Sequence, residues 1–330
     1  MAILILGGAG YIGSHTVWEM AESGMDVAVA DNLATGHRSA LHPKARFYAG
    51  DLRERAFLDE VFERERIDGV IHFAAYSVVG ESMLHPLKYY NNNLCGTETL
   101  LEAMLAHGVR DLVFSSSASV YGEPEAVPIP ETAPTRPTNC YGETKLAVER
   151  MLEWTARSCG LRYVALRYFN ACGAHPCGRI GEAHDPETHL IPLILQVPLG
   201  QRERAVIFGD DYPTPDGTCV RDYVHVMDLS QGHRKALEYL ARGGESGVFN
   251  LGSGAGCSVR QVIETAARVT GRPIPTAVLP RRPGDPACLV ASSEKARRVL
   301  GWQPAYDSLE QMIATAWNWM NRSPAGDPGK

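Results

Sequence analysis

Long apolar runs are missing from this 330-residue chain; none approaches the roughly 20 residues that a membrane-spanning helix needs. Basic residues are not in excess either. The net charge is −6, which argues against nucleic acid or an anionic membrane as the main partner. The eight cysteines contain no C-x-x-C pair. Cys172, His175 and Cys177, with His184 and His189 beyond, match no structural zinc spacing, so no metal is expected. The first residues, Met1-Ala2-Ile3-Leu4-Ile5-Leu6, lack a basic stretch and run straight into glycine, reading as a first strand rather than an export signal. The thiols are therefore expected to be reduced, in the cytoplasm. There is no internal repeat or low-complexity tract.

Three short stretches stand out among what is present. Tyr141-Gly142-Glu143-Thr144-Lys145 sets a tyrosine and a lysine four positions apart, one above the other on a helix face. An ammonium beside a phenol favours the phenolate, so the tyrosine pKa is expected to fall toward neutrality. Such a tyrosine can exchange a proton with a sugar or alcohol hydroxyl. The same spacing arises by chance on solvated helix faces, and two companions give it meaning. One is Ser115-Ser116-Ser117 at a strand end. The other is Gly7-Gly8-Ala9-Gly10-Tyr11-Ile12-Gly13, in which Gly7, Gly10 and Gly13 form G-x-x-G-x-x-G directly after a strand. Glycines there allow a tight turn and let the backbone approach a pyrophosphate at a helix N-terminus. The next strand ends at Asp31, about 20 positions on, where a carboxylate accepts from a ribose diol and repels a 2′-phosphate. The pattern predicts bound NAD rather than NADP.

Strands and helices go on alternating. Arg46-Phe47-Tyr48-Ala49-Gly50-Asp51 reads as a strand ending in an acid, which would either meet adenine's amino group or cap the next helix, over 56–66. Residues 69–75 read as a buried strand opening into small residues that leave room for a cofactor. A long helix is expected over 86–107, with Asn91, Asn92 and Asn93 out of place in its middle and one of them bonding into the site. A sixth strand falls at 162–167. Six strands with crossover helices predict an α/β fold: a Rossmann-like doubly wound parallel sheet over 1–170. Residues 171–330 read as a smaller mixed α/β cap over the C-terminal strand ends, with 219–250 possibly returning to the first unit. Within the cap, a strand is expected over 221–226 and a helix over 258–270, and residues 324–330 should fray.

Together, the glycine turn, the Ser117 strand end, Tyr141-x-x-x-Lys145 and the cap resemble the extended short-chain dehydrogenase/reductase superfamily. The segments Phe114-Ser115-Ser116-Ser117-Ala118-Ser119-Val120-Tyr121-Gly122, Arg167-Tyr168-Phe169-Asn170 and Gly217-Thr218-Cys219-Val220-Arg221-Asp222-Tyr223 are similar to those of its UDP-glucose 4-epimerase family. So is Arg281-Arg282-Pro283-Gly284-Asp285, and the resemblance covers nearly the whole chain. It implies an NAD-dependent isomerase of galactose metabolism that acts on UDP-hexoses through a transient 4-keto sugar. Ser117, Tyr141 and Lys145 would be catalytic. The implied cofactor set adds Tyr11, Ile12, Asn32, Asp51, Leu52, Phe73, Ala74, Ala75, Asn92 and Phe169 to the glycines and Asp31. The implied substrate set is Ser117, Tyr141, Asn170, His189, Leu190, Val206, Phe208, Arg221, Tyr223, Arg282, Asp285 and Cys288.

Three positions depart from the family's best-known bacterial pattern. Ser77 replaces a lysine near the cofactor pyrophosphate, and His189 replaces an asparagine that contacts the nucleotide. Cys288 replaces a tyrosine of the sugar pocket; it would leave room for an N-acetyl group at C2, or simply pack in the core. A homodimer is implied across the helices over 86–107 and 141–158, whose Leu101, Met104, Leu146 and Met151 look surplus to one buried face. Rival readings are a 4,6-dehydratase, a dehydrogenase or a non-catalytic NAD or nucleotide-sugar sensor. The dehydratase would need an acid/base pair where Ala118 and Ser119 follow Ser117.

Overall fold

A computed structural model describes residues 2–282 and 285–322. The fraying expected over 324–330 lies outside the described residues, as do Pro283 and Gly284. Strand β1 (Ala2–Leu6) has Ile3, Leu4 and Ile5 wholly buried, as a parallel strand covered on both faces requires. Helix α1 (Tyr11–Glu22) grows from the glycine turn and ends before Gly24, whose φ of 83° suits a helix stop. Then come β2 (Asp26–Asp31), β3 (Arg46–Ala49), α2 (Arg55–Arg64), β4 (Gly69–His72) and α3 (Val79–Leu84).

The helix expected over 86–107 is α4 (Pro86–Tyr89) and α5 (Gly96–Ala106), joined by a π-helical turn over Tyr90–Cys95. The three asparagines account for the swelling, since each side chain bonds outside the helix ladder. Asn91 accepts from Arg53 Nη1 at 2.8 Å. Asn92 donates to the Asn93 side chain at 3.0 Å, and Asn93 accepts from the Tyr76 N–H at 2.9 Å and donates to its carbonyl at 3.0 Å. Such π-turns gather at functional sites. The first half closes with β5 (Asp111–Ser115), α6 (Cys140–Cys159) and β6 (Arg162–Tyr168).

The second half supplies β7 (Asn170–Cys172), α7 (Leu190–Leu195), β8 (Ala205–Phe208), β9 (Val220–Arg221), β10 (Tyr223–His225), α8 (Val226–Ala241) and β11 (Gly247–Leu251). It ends with β12 (Cys257–Ser258), α9 (Val259–Thr270), β13 (Thr276–Leu279), β14 (Cys288–Leu289) and α10 (Leu309–Arg322). The large sheet runs β11-β6-β5-β4-β1-β2-β3, all parallel. It has seven strands rather than the expected six, because 226–251 returns to it: β11 extends the sheet edge and α8 packs beside α1. Alternate residues feed two cores. Leu4, Val70 and Leu112 meet Leu58, Leu100 and Val148 of α2, α5 and α6; Ile3, Ile71 and Val113 meet Val17 of α1 and Leu237 of α8. The remaining small sheets, α7, α9 and α10 form a third core around Ile194, Val262 and Ile313.

Two expectations fail for packing reasons. The strand expected over 221–226 is broken at Asp222, which is wholly buried and accepts from Ser253 N–H at 2.7 Å, Gly254 N–H at 3.0 Å and Ala291 N–H at 3.0 Å. That carboxylate ties three loops together, and the chain kinks around it. Leu101, Met104 and Leu146 are not surplus: they are 4%, 0% and 4% exposed within the single chain, and Met151 packs against its core. The most exposed large apolar side chains among the described residues are instead Met83, Leu84 and Leu87, and Trp154 of α6. Among the described residues no helix is long and apolar enough to cross a membrane.

Burial also fixes how stability responds to acid. Burial lowers the pKa of His15 and His233 to about 4 and of His72 and His225 to about 3. In the unfolded chain each titrates near pH 6.5. Because the folded values are depressed, the stabilisation from neutral histidines is complete above about pH 6.5 and is lost as pH falls toward 4. The slope is at most roughly 1.4 kcal/mol per pH unit for each histidine. Urea unfolding followed by circular dichroism should give a midpoint that falls steadily from pH 6.5 to pH 5. A flat midpoint over that window would contradict neutral burial.

Candidate active site

A cavity of about 1070 Å³ opens at the C-terminal ends of the strands, between the large sheet and the cap. Its floor is the turn between β1 and α1. A Cβ on Gly13 would lie 2.1 Å from the Gly7 carbonyl, whereas one on Gly10 would meet only that oxygen, at 3.4 Å. Gly13 is thus required by the turn itself, and Gly10 leaves a cradle. The first turn of α1 has no side-chain cap and no acidic residue, so its backbone N–H groups are free for a phosphate. Asp31 is held in place by the Ala9 N–H at 2.9 Å and the Leu33 N–H at 2.8 Å. Burial raises its pKa, and those two donors work against the rise. These residues fit NAD.

Across the cavity, the end of β5 meets the start of α6. Asn139 caps α6, accepting from the Gly142 N–H at 2.8 Å. A Cβ on Gly142 would stand 2.6 Å from the Ser119 carbonyl, so glycine lets Tyr141 come down beside Ser117. Lys145 is 3% exposed and donates to the Ser115 carbonyl at 2.7 Å, with its Nζ 5.8 Å from the Tyr141 ring centre. The expected fall of the tyrosine pKa is not found in the chain by itself. Burial pushes the Tyr141 phenol up, and the nearby Ser117 hydroxyl only partly offsets this. Burial also lowers the Lys145 pKa to about 7, with Glu149 opposing. The spacing correctly brings the two together; what it leaves out is the price of taking both from water.

Behind the pair lies a buried network that motif reading missed. Arg167 grips Glu149 with two hydrogen bonds, one at 2.9 Å, and both side chains are 6% exposed. The same carboxylate accepts from the Ser116 hydroxyl, and the Arg167 guanidinium lies 4.9 Å over the Tyr121 ring. The Tyr121 hydroxyl donates to Asn250 Oδ1 at 2.6 Å, linking the network to β11. The one signal available was Glu149 itself, four positions beyond Lys145 on an otherwise buried face.

Nearly all the cofactor residues expected from sequence line this cavity: Gly7, Gly10, Tyr11, Ile12, Gly13, Asp31, Asn32, Leu52, Phe73, Ala74, Ala75, Asn92, Tyr141, Lys145 and Phe169. Asp51 does not. Its carboxylate is already taken up by Arg53, whose guanidinium bonds it at 2.8 and 2.7 Å, by the Arg53 N–H at 2.9 Å and by Asn32 at 3.0 Å. It therefore holds the rim of the cavity instead of presenting a free acceptor. On the cap side, Asn170, His189, Leu190, Val206, Phe208, Arg221, Tyr223, Arg282 and Asp285 all line the wall. Arg221 pairs with Asp285, and the Arg282 guanidinium sits 3.9 Å over the Phe208 ring. Cys288 is outside the wall while Leu289 is in it, since successive strand residues face opposite ways and Cys288 sits against Val220.

The profile of the NAD dependent epimerase/dehydratase family matches residues 3–252. The chain is 59% identical to the UDP-glucose 4-epimerase of Halalkalibacterium halodurans, covering 99% of this chain and 97% of the relative. A solved UDP-glucose 4-epimerase superposes with a TM-score of 0.98 at 54% identity over 100% of both chains. The Bifidobacterium longum UDP-glucose 4-epimerase, solved with NAD+ and UDP, gives a TM-score of 0.92 at 40% identity, covering 99% of this chain and 100% of that one. With its glycine turn, its Ser117–Tyr141–Lys145 cluster and its cap, this chain belongs to the NAD dependent epimerase/dehydratase family, among the UDP-glucose 4-epimerases.

Proposed function

We infer that this chain interconverts UDP-glucose and UDP-galactose by inverting C4 through a transient 4-keto sugar. The observation that carries the reading is the cavity in which Ser117, Tyr141 and Lys145 face the glycine turn on one side and the arginines of the cap on the other. NAD, when bound, supplies a reversible hydride acceptor. The chain's own residues move the proton and hold the sugar. Tyr141 takes the proton of the C4 hydroxyl as its O–H bond breaks, and Ser117 shares a hydrogen bond with the same oxygen. Lys145, fixed by the Ser115 carbonyl, is the cation that favours the phenolate. Arg221 and Arg282 present planar forks suited to the diphosphate, and Asn170 lines the same cavity. The keto sugar would turn over within the cavity and take the hydride back at C4 on its other face, while Tyr141 returns the proton to the C4 oxygen.

A dehydratase is disfavoured because Ser117 is followed by Ala118 and Ser119, with no acid/base pair. A sensor would have no use for a buried tyrosine and lysine. Turnover of the N-acetylated pair is the finer part of this reading, supported by the breadth of the cavity rather than by Cys288; assaying both substrate pairs side by side tests it. Eight free thiols fit a reducing, cytoplasmic setting.

The association state belongs to the same reading: we propose a homodimer. Met83, Leu84 and Leu87, at 59%, 77% and 81% exposed, form an apolar patch near the start of the 86–106 helix, and a second copy is the commonest partner for such a patch. Sedimentation should give a dimer at micromolar concentration, and Leu84→Glu with Leu87→Glu should give a monomer; a wild-type monomer would refute this.

Tyr141→Phe removes only the acid/base oxygen. Turnover should fall about 10²–10⁴-fold while UDP and NAD binding, measured by calorimetry, stay within a few-fold of wild type. A variant with wild-type turnover would take Tyr141 out of the chemistry.

A further inference from the structure

The segment between β7 and α7 carries Glu182, His184, Glu187 and His189, whose ligand atoms all lie within 4.8 Å of one another. Motif reading noted the two histidines but not the two glutamates between and before them. We propose that these four side chains form a zinc site, a function separate from the proton-transfer residues. Zinc takes imidazole nitrogen and carboxylate oxygen at about 2.0–2.2 Å, and a tetrahedron of that size has edges of about 3.3 Å. His184 Nδ1 stands 3.2 Å from Glu182 Oε1 and 3.7 Å from Glu187 Oε1, close to those edges. The hydrogen-bonded His189 Nδ1 and Glu182 Oε1 would have to move apart, and the widest separations, up to 4.8 Å, to draw in, for all four to reach one ion.

Two further features point to a cation. The Glu182 and Glu187 side chains are only 6% and 9% exposed, and two buried carboxylates facing each other need positive charge between them. Both imidazoles converge on one oxygen, Glu182 Oε1: His189 hydrogen-bonds it, whereas buried His184 Nδ1 lies near it without the direction of a hydrogen bond and has no partner. A metal between the nitrogens and the carboxylates would satisfy all of them at once.

The surroundings show what the metal would hold. The Glu182 carbonyl accepts from Trp319 Nε1 of α10 at 3.0 Å, and the Ala183 carbonyl is 2.9 Å from His37 Nε2 in the loop after β2. The Tyr11 ring meets His184 edge-on at 6.1 Å. A closed four-ligand site here would clamp this segment between the glycine turn and the cap, at the wall of the substrate cavity.

The test is a zinc count on the full-length protein, stripped by chelation, incubated with zinc chloride and passed through gel filtration. One zinc per chain should be retained, and His184→Asn and Glu187→Gln should each weaken binding at least about tenfold. The chain's free thiols are competing ligands, so cobalt(II) is used as a second probe. The cobalt spectrum of the wild type should lack thiolate charge-transfer absorption, because the ligands are nitrogen and oxygen. That spectrum decides the matter even if a variant fails to fold. No retained zinc, equal retention by both folded variants, or thiolate absorption in the wild type would each overturn the site.

Discussion

A lysine that is almost wholly buried must place its ammonium protons somewhere, and this structure is arranged around where Lys145 places them. One goes to the Ser115 carbonyl at the end of β5, which pins α6 to the strand that carries Ser117. That bond sets the distance between the serine and Tyr141, and Gly142 lets the helix come close enough to keep it. Burial lowers the lysine pKa to about 7, and the Glu149 carboxylate one helical turn on restrains the fall. Glu149 is in turn neutralised by Arg167, which makes the buried pair a condition for the site rather than a source of stability. Removing either partner would leave an unpaired buried charge, costing about 3–5 kcal/mol.

Much of this was legible in the sequence, for identifiable reasons. Short continuous apolar runs and the glycine spacing are local signals, and they located the sheet, the nucleotide turn and Asp31. Tyr141 and Lys145 share a helix face, so their meeting follows from spacing alone. The pKa relation between them did not follow, because spacing says nothing of solvent, and burial acts against the charged form of both groups. The sequence offered the return of 219–250 only as an alternative and did not single out the seventh strand, for a related reason. Gly247–Leu251 looks like any short strand, and only the packing of α8 beside α1 returns it to the large sheet.

Several features of the fold depend on contacts that spacing does not show. Asp51 ends a strand as expected, but Arg53 and Asn32 consume its lone pairs. Asp222 interrupts a strand because loops 31 and 69 positions later donate to it. Cys288 and Leu289 differ by one residue, which in a strand is the difference between two faces. The asparagines were the better case. Three in a row inside a helix violate local preference, and the violation marked a π-turn that sends their side chains to the rim, the cavity and the Tyr76 loop.

The central claim is that C4 is inverted by removing a hydride and returning the same one within one cavity. The most direct measurement uses UDP-glucose deuterated at C4, turned over in ordinary water, with the UDP-galactose product analysed by NMR. The account predicts that deuterium stays at C4 through many turnovers. Washout of the label into solvent, or its appearance elsewhere on the ring, would contradict it.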